Sequence, residues 1–282
     1  MNTNFISRRS FLGAVAAAPL AAAASASKTI PVGLELYSVR DELKKDLMGT
    51  VRGVAHMGYQ CVEFYASYFD WTVDDARKVR AELDELGIHC YSTHNGLKSF
   101  SPEGLAKAID LNKTLGCRYV VLASPDRELT SLDDYKRVAD TLNKADDTMK
   151  RQGLHAGYHN HDAEWHSIDG QRPMDVLAAT LPKDVILQFD VGTCLEAGGD
   201  PVAWIKQNPG RIRSMHVKDW SPQRGYKVLT GEGAAPWKKI FAAAETTGGI
   251  EYYLIEQEGS DLPEMQTAEK CLGAFRKLHA GR

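Results

Sequence analysis

From residue 30 onward, short apolar runs alternate with longer stretches whose apolar positions recur at helical spacing. The runs occupy 30–37, 59–64, 88–93, 118–123, 154–158, 185–189, 212–217 and 251–255, and they read as strands. Amphipathic stretches follow at 43–56, 73–86, 102–115, 132–152, 173–180, 201–207, 236–246 and 263–279. Several open on proline behind a polar residue, as in Ser101-Pro102 and Asp200-Pro201, where the first helical N–H has no partner anyway. Several close on glycine (Gly58, Gly87, Gly116, Gly153, Gly249), which takes the left-handed turn that ends a helix.

Strand-then-helix units repeated in this way predict a parallel sheet, and eight of them suffice to close a (β/α)8 TIM barrel. The strands are apolar along their whole length, as expected where both faces are covered. A doubly wound open sheet is the competing topology, and it calls for a glycine-rich turn after the first strand. The chain has Tyr37-Ser38-Val39-Arg40-Asp41 there, with no glycine. No linker or repeat interrupts the pattern, so residues 27–282 are expected to form a single domain.

Residues 1–26 read differently. Ser7-Arg8-Arg9-Ser10-Phe11-Leu12 leads into an alanine-rich apolar run and then Ser25-Ala26-Ser27, the layout of a twin-arginine export signal. The run is too short for an ordinary membrane span. The expected location is periplasmic or secreted, after export in the folded state, with no membrane span in the mature form. The net charge is −3, and −5 once Arg8 and Arg9 leave with the signal. With no basic stripe, a nucleic acid partner is excluded on charge. The five cysteines (Cys61, Cys90, Cys117, Cys194, Cys271) are widely spaced without a CxxC pair, so no obligatory disulfide is expected.

The chemistry collects where the predicted strands end, which in such barrels is the functional face. Those ends carry Glu35 and Tyr37, Glu63, His94 and Asn95, Ser124, His159 and His161, Asp190, His216 and Lys218, and Glu256. Asp190 could simply cap a turn, His216 could be a satisfied core histidine, and Glu256 a solvated strand end. Taken together, Asp190, His216 and Glu256 on consecutive strands, with His159 on the strand before, form a ligand set for one hard-to-borderline divalent ion. Mn²⁺ is the expected ion, with Co²⁺, Mg²⁺ and a catalytic Zn²⁺ as alternatives. The turn Gly231-Glu232-Gly233 reads as loop structure rather than a phosphate nest.

Several stretches resemble the xylose isomerase-like TIM barrels, in particular secreted proteins of the sugar phosphate isomerase/epimerase branch. They are residues 33–41, the segment 157–165, Phe189-Asp190-Val191-Gly192, His216-Val217-Lys218-Asp219, Gly231-Glu232-Gly233 and Ile255-Glu256-Gln257. The resemblance runs over about residues 30–280. It implies one divalent ion held by glutamate, aspartate, histidine and glutamate from strands five to eight, positions that fall on His159, Asp190, His216 and Glu256. His159 departs from the pattern by standing where the family usually has glutamate. In the endonuclease IV branch further histidine ligands are needed, and this chain has Ser124 and Thr193 at those places.

The resemblance implies proton transfer next to a carbonyl through a metal-bound enediolate, as in sugar isomerases and epimerases. Glu256 is then ligand and base, with His161 or Glu164 as the second acid/base group. Glu35, Tyr37, Arg40, Glu63, His94, Lys218 and Trp220 are expected to bind a small carbohydrate. Tyr65, Trp71 and Trp165 are further aromatics near strand ends that could stack on a sugar. Losing one glutamate favours a lyase acting by β-elimination on keto-sugars or 3-keto-glycosides as the alternative. A non-catalytic sugar-binding barrel is the remaining one.

Overall fold

Eight parallel strands pair in sequence order and the last pairs with the first. They are β1 (Val32–Glu35), β2 (Cys61–Phe64), β3 (His89–Gly96), β4 (Tyr119–Ser124), β5 (His155–His159), β6 (Ile186–Asp190), β7 (Ser214–Val217) and β8 (Tyr252–Ile255). The computed structural model describes Met1 and residues 29–281. Apart from Met1, the expected export signal lies outside the described residues. Among the described residues no helix is long and apolar enough to cross a membrane.

Side chains alternate across each strand, so the two faces can be read separately. One set (Leu34, Val62, Phe64, Val120, Leu122, Ala156, Tyr158, Leu187, Phe189, Met215, Val217, Tyr253, Ile255) is buried in the large core between sheet and helices. The other set enters the barrel. Its lowest layer is apolar: Cys61, Tyr119, Val121, Ile186, Tyr252 and Leu254 form their own cluster. Above it the inward positions turn polar, with Glu63, Ser92, Gln188 and Ser214 all buried. The uppermost layer is the set of ionisable strand ends. At the inward Gly157 a Cβ would come within 2.8 Å of Ile186 Cγ1 and 3.0 Å of Val121 Cγ2, so only glycine fits beneath His159.

Helices fall close to the expected stretches, with some differences; the helix expected to open at Pro102 begins at Leu105, after a turn over 101–104. The stretch 43–56 is split into Arg40–Lys45 and Leu47–Met57, because Asp46 turns extended and caps the second helix through Gly49 N–H. A short helix at Val191–Glu196, unforeseen in the pattern, starts directly on Asp190. Gly58, Gly87 and Gly116 end their helices with left-handed φ of 93°, 67° and 84°. All five cysteines are buried and free, with Cys90 and Cys117 Sγ atoms 3.4 Å apart.

Candidate active site

A cavity of about 340 Å³ opens at the C-terminal ends of the strands. Its lining includes Glu35, Tyr37, Tyr65, His94, Asn95, Ser124, His159, His161, Glu256 and Glu258. His159, Asp190, His216 and Glu256 each bring one ligating atom to within 4.8 Å of the others. His216 Nδ1 lies 2.6 Å from Glu256 Oε2, and His159 Nε2 lies 3.9 Å from Asp190 Oδ2.

Asp190 combines both roles open to it. Its Oδ1 accepts from Thr193 N–H at 2.9 Å and so caps the helix that follows, while Oδ2 is buried without a hydrogen-bond partner. His159 Nδ1 is likewise buried and unpartnered. Buried polar atoms are nearly always satisfied, so an unpartnered Asp190 Oδ2 with His159 Nε2 3.9 Å away fits a ligand there. Nitrogen and carboxylate oxygen donors without thiolates suit a borderline divalent ion. The Lys218 ammonium stands 3.6 Å from both Asp190 Oδ2 and Glu256 Oε1, supplying the positive charge next to these carboxylates.

Burial and charge set the protonation states. Burial opposes ionisation of Glu256, but Lys218 and His216 hold it well below the usual carboxylate range. Burial also opposes charge on His216, yet the carboxylates of Glu256 and Glu63 push it up to about 10. Desolvation lowers His159 well below the ordinary imidazole value, helped by the neighbouring His216 and His94. Glu35 is raised well above its ordinary value by burial and then by Glu63 and Glu256. Asp190 is raised by burial against the pull of Lys218.

The other expected site residues separate into two groups. His94, Glu35, His161 and Tyr37 do reach the cavity, with Tyr37 40% exposed at the rim and edge-on to Tyr65. Lys218 is buried beside it, paired with Glu258 and set over the Tyr226 ring at 4.4 Å. Glu63, Glu164, Arg40 and Trp220 are not on the cavity wall.

Glu63 lies a layer deeper, fully buried, and accepts from His216 Nε2 at 2.9 Å, from Gln188 Nε2 at 2.9 Å, and from Ser92. Position along an inclined strand decides depth in a barrel, and here it places Glu63 below the mouth. Glu164 turns under the loop, where it accepts from Tyr158 Oη and from His161 N–H, both at 2.7 Å. It shapes the turn that presents His161. Arg40 opens a helix and braces the rim through Tyr37 O at 3.0 Å and the Tyr37 ring face. Trp71 packs edge-on against Phe64 and Tyr68, and Trp165 against Trp204 and Phe189, so both are packing residues.

The Gly231-Glu232-Gly233 turn is occupied by the protein itself. Asp219 accepts from the N–H groups of Trp220, Gly231, Gly233 and Ala235 and from Trp237 Nε1, at 2.8–3.2 Å. Other residues join the site without any motif, among them Glu258, which lines the cavity and pairs with Lys218. Gln188 and Ser92 sit mid-strand, where an inward polar position is the only signal. Asn160, between the two histidines, fastens β5 to β6 through Asp190 N–H and O at 3.0 and 3.2 Å.

Fold and site together define a (β/α)8 barrel with a candidate imidazole–carboxylate metal centre at its mouth. Residues 51–278 match the xylose isomerase-like TIM barrel family, and the chain belongs to it. Members of this superfamily are enzymes, among them isomerases, epimerases and dehydratases. An inosose dehydratase of Lacticaseibacillus casei is 25% identical over 166 residues, covering 52% of this chain and 55% of that protein. The chain thus spans about half the length of the curated relatives it matches. A sugar phosphate isomerase/epimerase from Parabacteroides distasonis ATCC 8503 superimposes with a TM-score of 0.75 at 23% identity, covering 92% of this chain and 98% of that one. The IolI protein with a bound zinc atom gives 0.67 at 17% identity over 89% of this chain and 97% of the other. At these identities the structural likenesses speak for the fold.

Proposed function

We propose that the protein is a metal-dependent enzyme that moves a proton on the carbon beside a carbonyl of a small carbohydrate, as a sugar isomerase or epimerase. The observation that carries this reading is the buried cluster His159, Asp190, His216 and Glu256, of which His159 and Glu256 line the cavity. Asp190 Oδ2 and His159 Nδ1 lack hydrogen-bond partners there, and Glu256 is an ionised carboxylate. His159, Asp190, His216 and Glu256 would hold the ion, for which Mn²⁺ is the expected species. When bound, such an ion polarises a carbonyl oxygen and stabilises negative charge developing on it.

The remaining steps belong to the side chains. Glu256 is a carboxylate in its proton-accepting form, on the cavity wall, and serves as the base. His161, on the same wall, serves as the second proton-transfer group. Lys218 donates to a substrate oxygen, while Glu35 and His94 bind hydroxyls. Tyr37 and Tyr65 offer an aromatic rim to the apolar face of a sugar.

A lyase reading is favoured by one specific placement. His159 replaces the usual glutamate, and Glu164 is engaged by Tyr158 and His161 N–H, so it does not restore a carboxylate to the cavity. An imidazole in place of that glutamate breaks the paired-glutamate arrangement, which suits β-elimination from a keto-sugar or 3-keto-glycoside better than two-sided epimerisation. The inosose dehydratase relative fits the same idea. On the reading of the N-terminal segment as a twin-arginine signal, the enzyme works in the periplasm or outside the cell.

Product analysis decides between them. The Mn²⁺-loaded protein is incubated with a panel of ketoses and 3-keto-glycosides and the products are identified by NMR. An epimer or an aldose–ketose pair supports isomerisation, and an unsaturated product supports elimination. No conversion of any keto-sugar by protein with a full complement of metal would remove the enzymatic reading.

A further inference from the structure

Glu63 is the most heavily engaged buried carboxylate of the barrel interior, and the proposed chemistry makes no use of it. An ionised carboxylate only accepts hydrogen bonds, so it dictates the proton positions of whatever surrounds it. Its Oε1 meets Gln188 Nε2 at 2.9 Å, which fixes the Gln188 amide with its NH₂ towards Glu63 and its oxygen away. That oxygen, Gln188 Oε1, lies 2.6 Å from His94 Nε2. Glu63 Oε2 is 3.1 Å from the same nitrogen and 2.9 Å from His216 Nε2. Both rings therefore face acceptors at Nε2. The rings themselves stack, with centroids 5.0 Å apart and planes inclined by 10°.

Resting on the metal reading above, we infer that Glu63 is a positioning residue that fixes two imidazoles in the Nε2–H tautomer. His216 is thereby left with Nδ1 for the ion, beside Glu256. His94 is left with a bare Nδ1 as an acceptor in the cavity. A carboxylate behind a metal-bound histidine orients the ring and strengthens it as a ligand. The second consequence concerns substrate. His94 Nδ1 stands 3.6 Å from Glu35 Oε1, and neither Glu35 oxygen has a hydrogen-bond partner. The two groups form an acceptor–carboxyl pair on the β1–β3 side of the mouth, beside the candidate ligands, with the His94 and His159 ring centroids 4.5 Å apart. A vicinal or 1,3-related pair of hydroxyls, one donating to His94 Nδ1 and one paired with Glu35, is the chemistry that pair would recognise.

Zn²⁺ is the probe, because it is diamagnetic and suits the same donors. Long-range proton–nitrogen correlation spectra of the Zn²⁺-loaded wild-type protein should show the proton on Nε2 of both His216 and His94, and zinc on His216 Nδ1. Calorimetric titration should show Zn²⁺ binding weakened about 10–100-fold in Glu63→Gln, the usual effect of losing such a partner. Zinc on His216 Nε2, a His94 proton on Nδ1, or unchanged Zn²⁺ affinity in Glu63→Gln would each overturn the role of Glu63 while sparing the metal reading. Failure of the wild-type protein to bind Zn²⁺ would overturn both. Should Glu63→Gln not fold, the wild-type spectra decide alone.

Discussion

At the scale of single residues, strand periodicity places the ends of β5–β8 at one mouth, where His159, Asp190, His216 and Glu256 form a candidate ligand set. Residues 186, 188 and 190 must share one face, so an aspartate ending that series points into the barrel. Depth and partnership were not legible. Glu63 shares the inward face with the mouth residues but sits below them, and Glu164 is claimed by Tyr158 Oη, a contact that only the folded loop creates. Glu256 carries the most direct prediction. Glu256→Gln is nearly isosteric, so the protein should still melt cooperatively while kcat falls at least about a hundredfold, as expected on losing a general base. Full activity in that variant would remove Glu256 from the mechanism. His216 gives a prediction in pH. Without an ion its imidazole, pushed up to about 10, holds protons on both nitrogens at neutral pH. An ion taking Nδ1 must expel one of them, so metal uptake at neutral pH should release close to one proton per chain from this ring. Affinity should then rise about tenfold per pH unit until pH approaches that value. Calorimetry in buffers of different ionisation enthalpy measures the release, and none at all would contradict the assigned protonation.

At the scale of elements, strands and long helices could be placed from pattern alone, since eight apolar runs and eight amphipathic stretches differ in period. The short helix Val191–Glu196 could not, because six residues are too few to show a repeat and its start depends on the Asp190 cap. The loop after β7 shows how much one side chain can organise. Asp219 satisfies four backbone N–H groups and the Trp237 indole, and a Cβ on Gly233 would fall within 2.2 Å of its Oδ1. Gly233 is thus explained by approach to a carboxylate of the same chain, and Gly231 by its left-handed φ of 87° and by Leu278, whose Cδ1 a Cβ would meet at 2.9 Å. Asp219→Ala strands several of these donors, and should destabilise the fold by about 2–4 kcal/mol. Thermal unfolding should show a fall of roughly 5–10 °C in Tm, and an unchanged Tm would mean water replaces the carboxylate without loss.

At the scale of the whole molecule, the barrel was legible because it is the closed solution for eight strand–helix units lacking a phosphate loop after the first strand. The same closure delivers strand ends distant in sequence to one mouth, where Glu35, His94, His159 and Glu256 line one cavity. On the proposed reading, isomerisation and elimination share the loss of a proton from the carbon beside the carbonyl. The shared step can be observed directly by solvent deuterium incorporation at the carbon beside the carbonyl, followed by NMR in deuterium oxide with a keto-sugar substrate and metal-loaded protein. The account predicts incorporation, or a deuterium-labelled product, with the wild-type protein and none with Glu256→Gln. Equal incorporation by both proteins, or conversion of substrate without proton loss at that carbon, would contradict it.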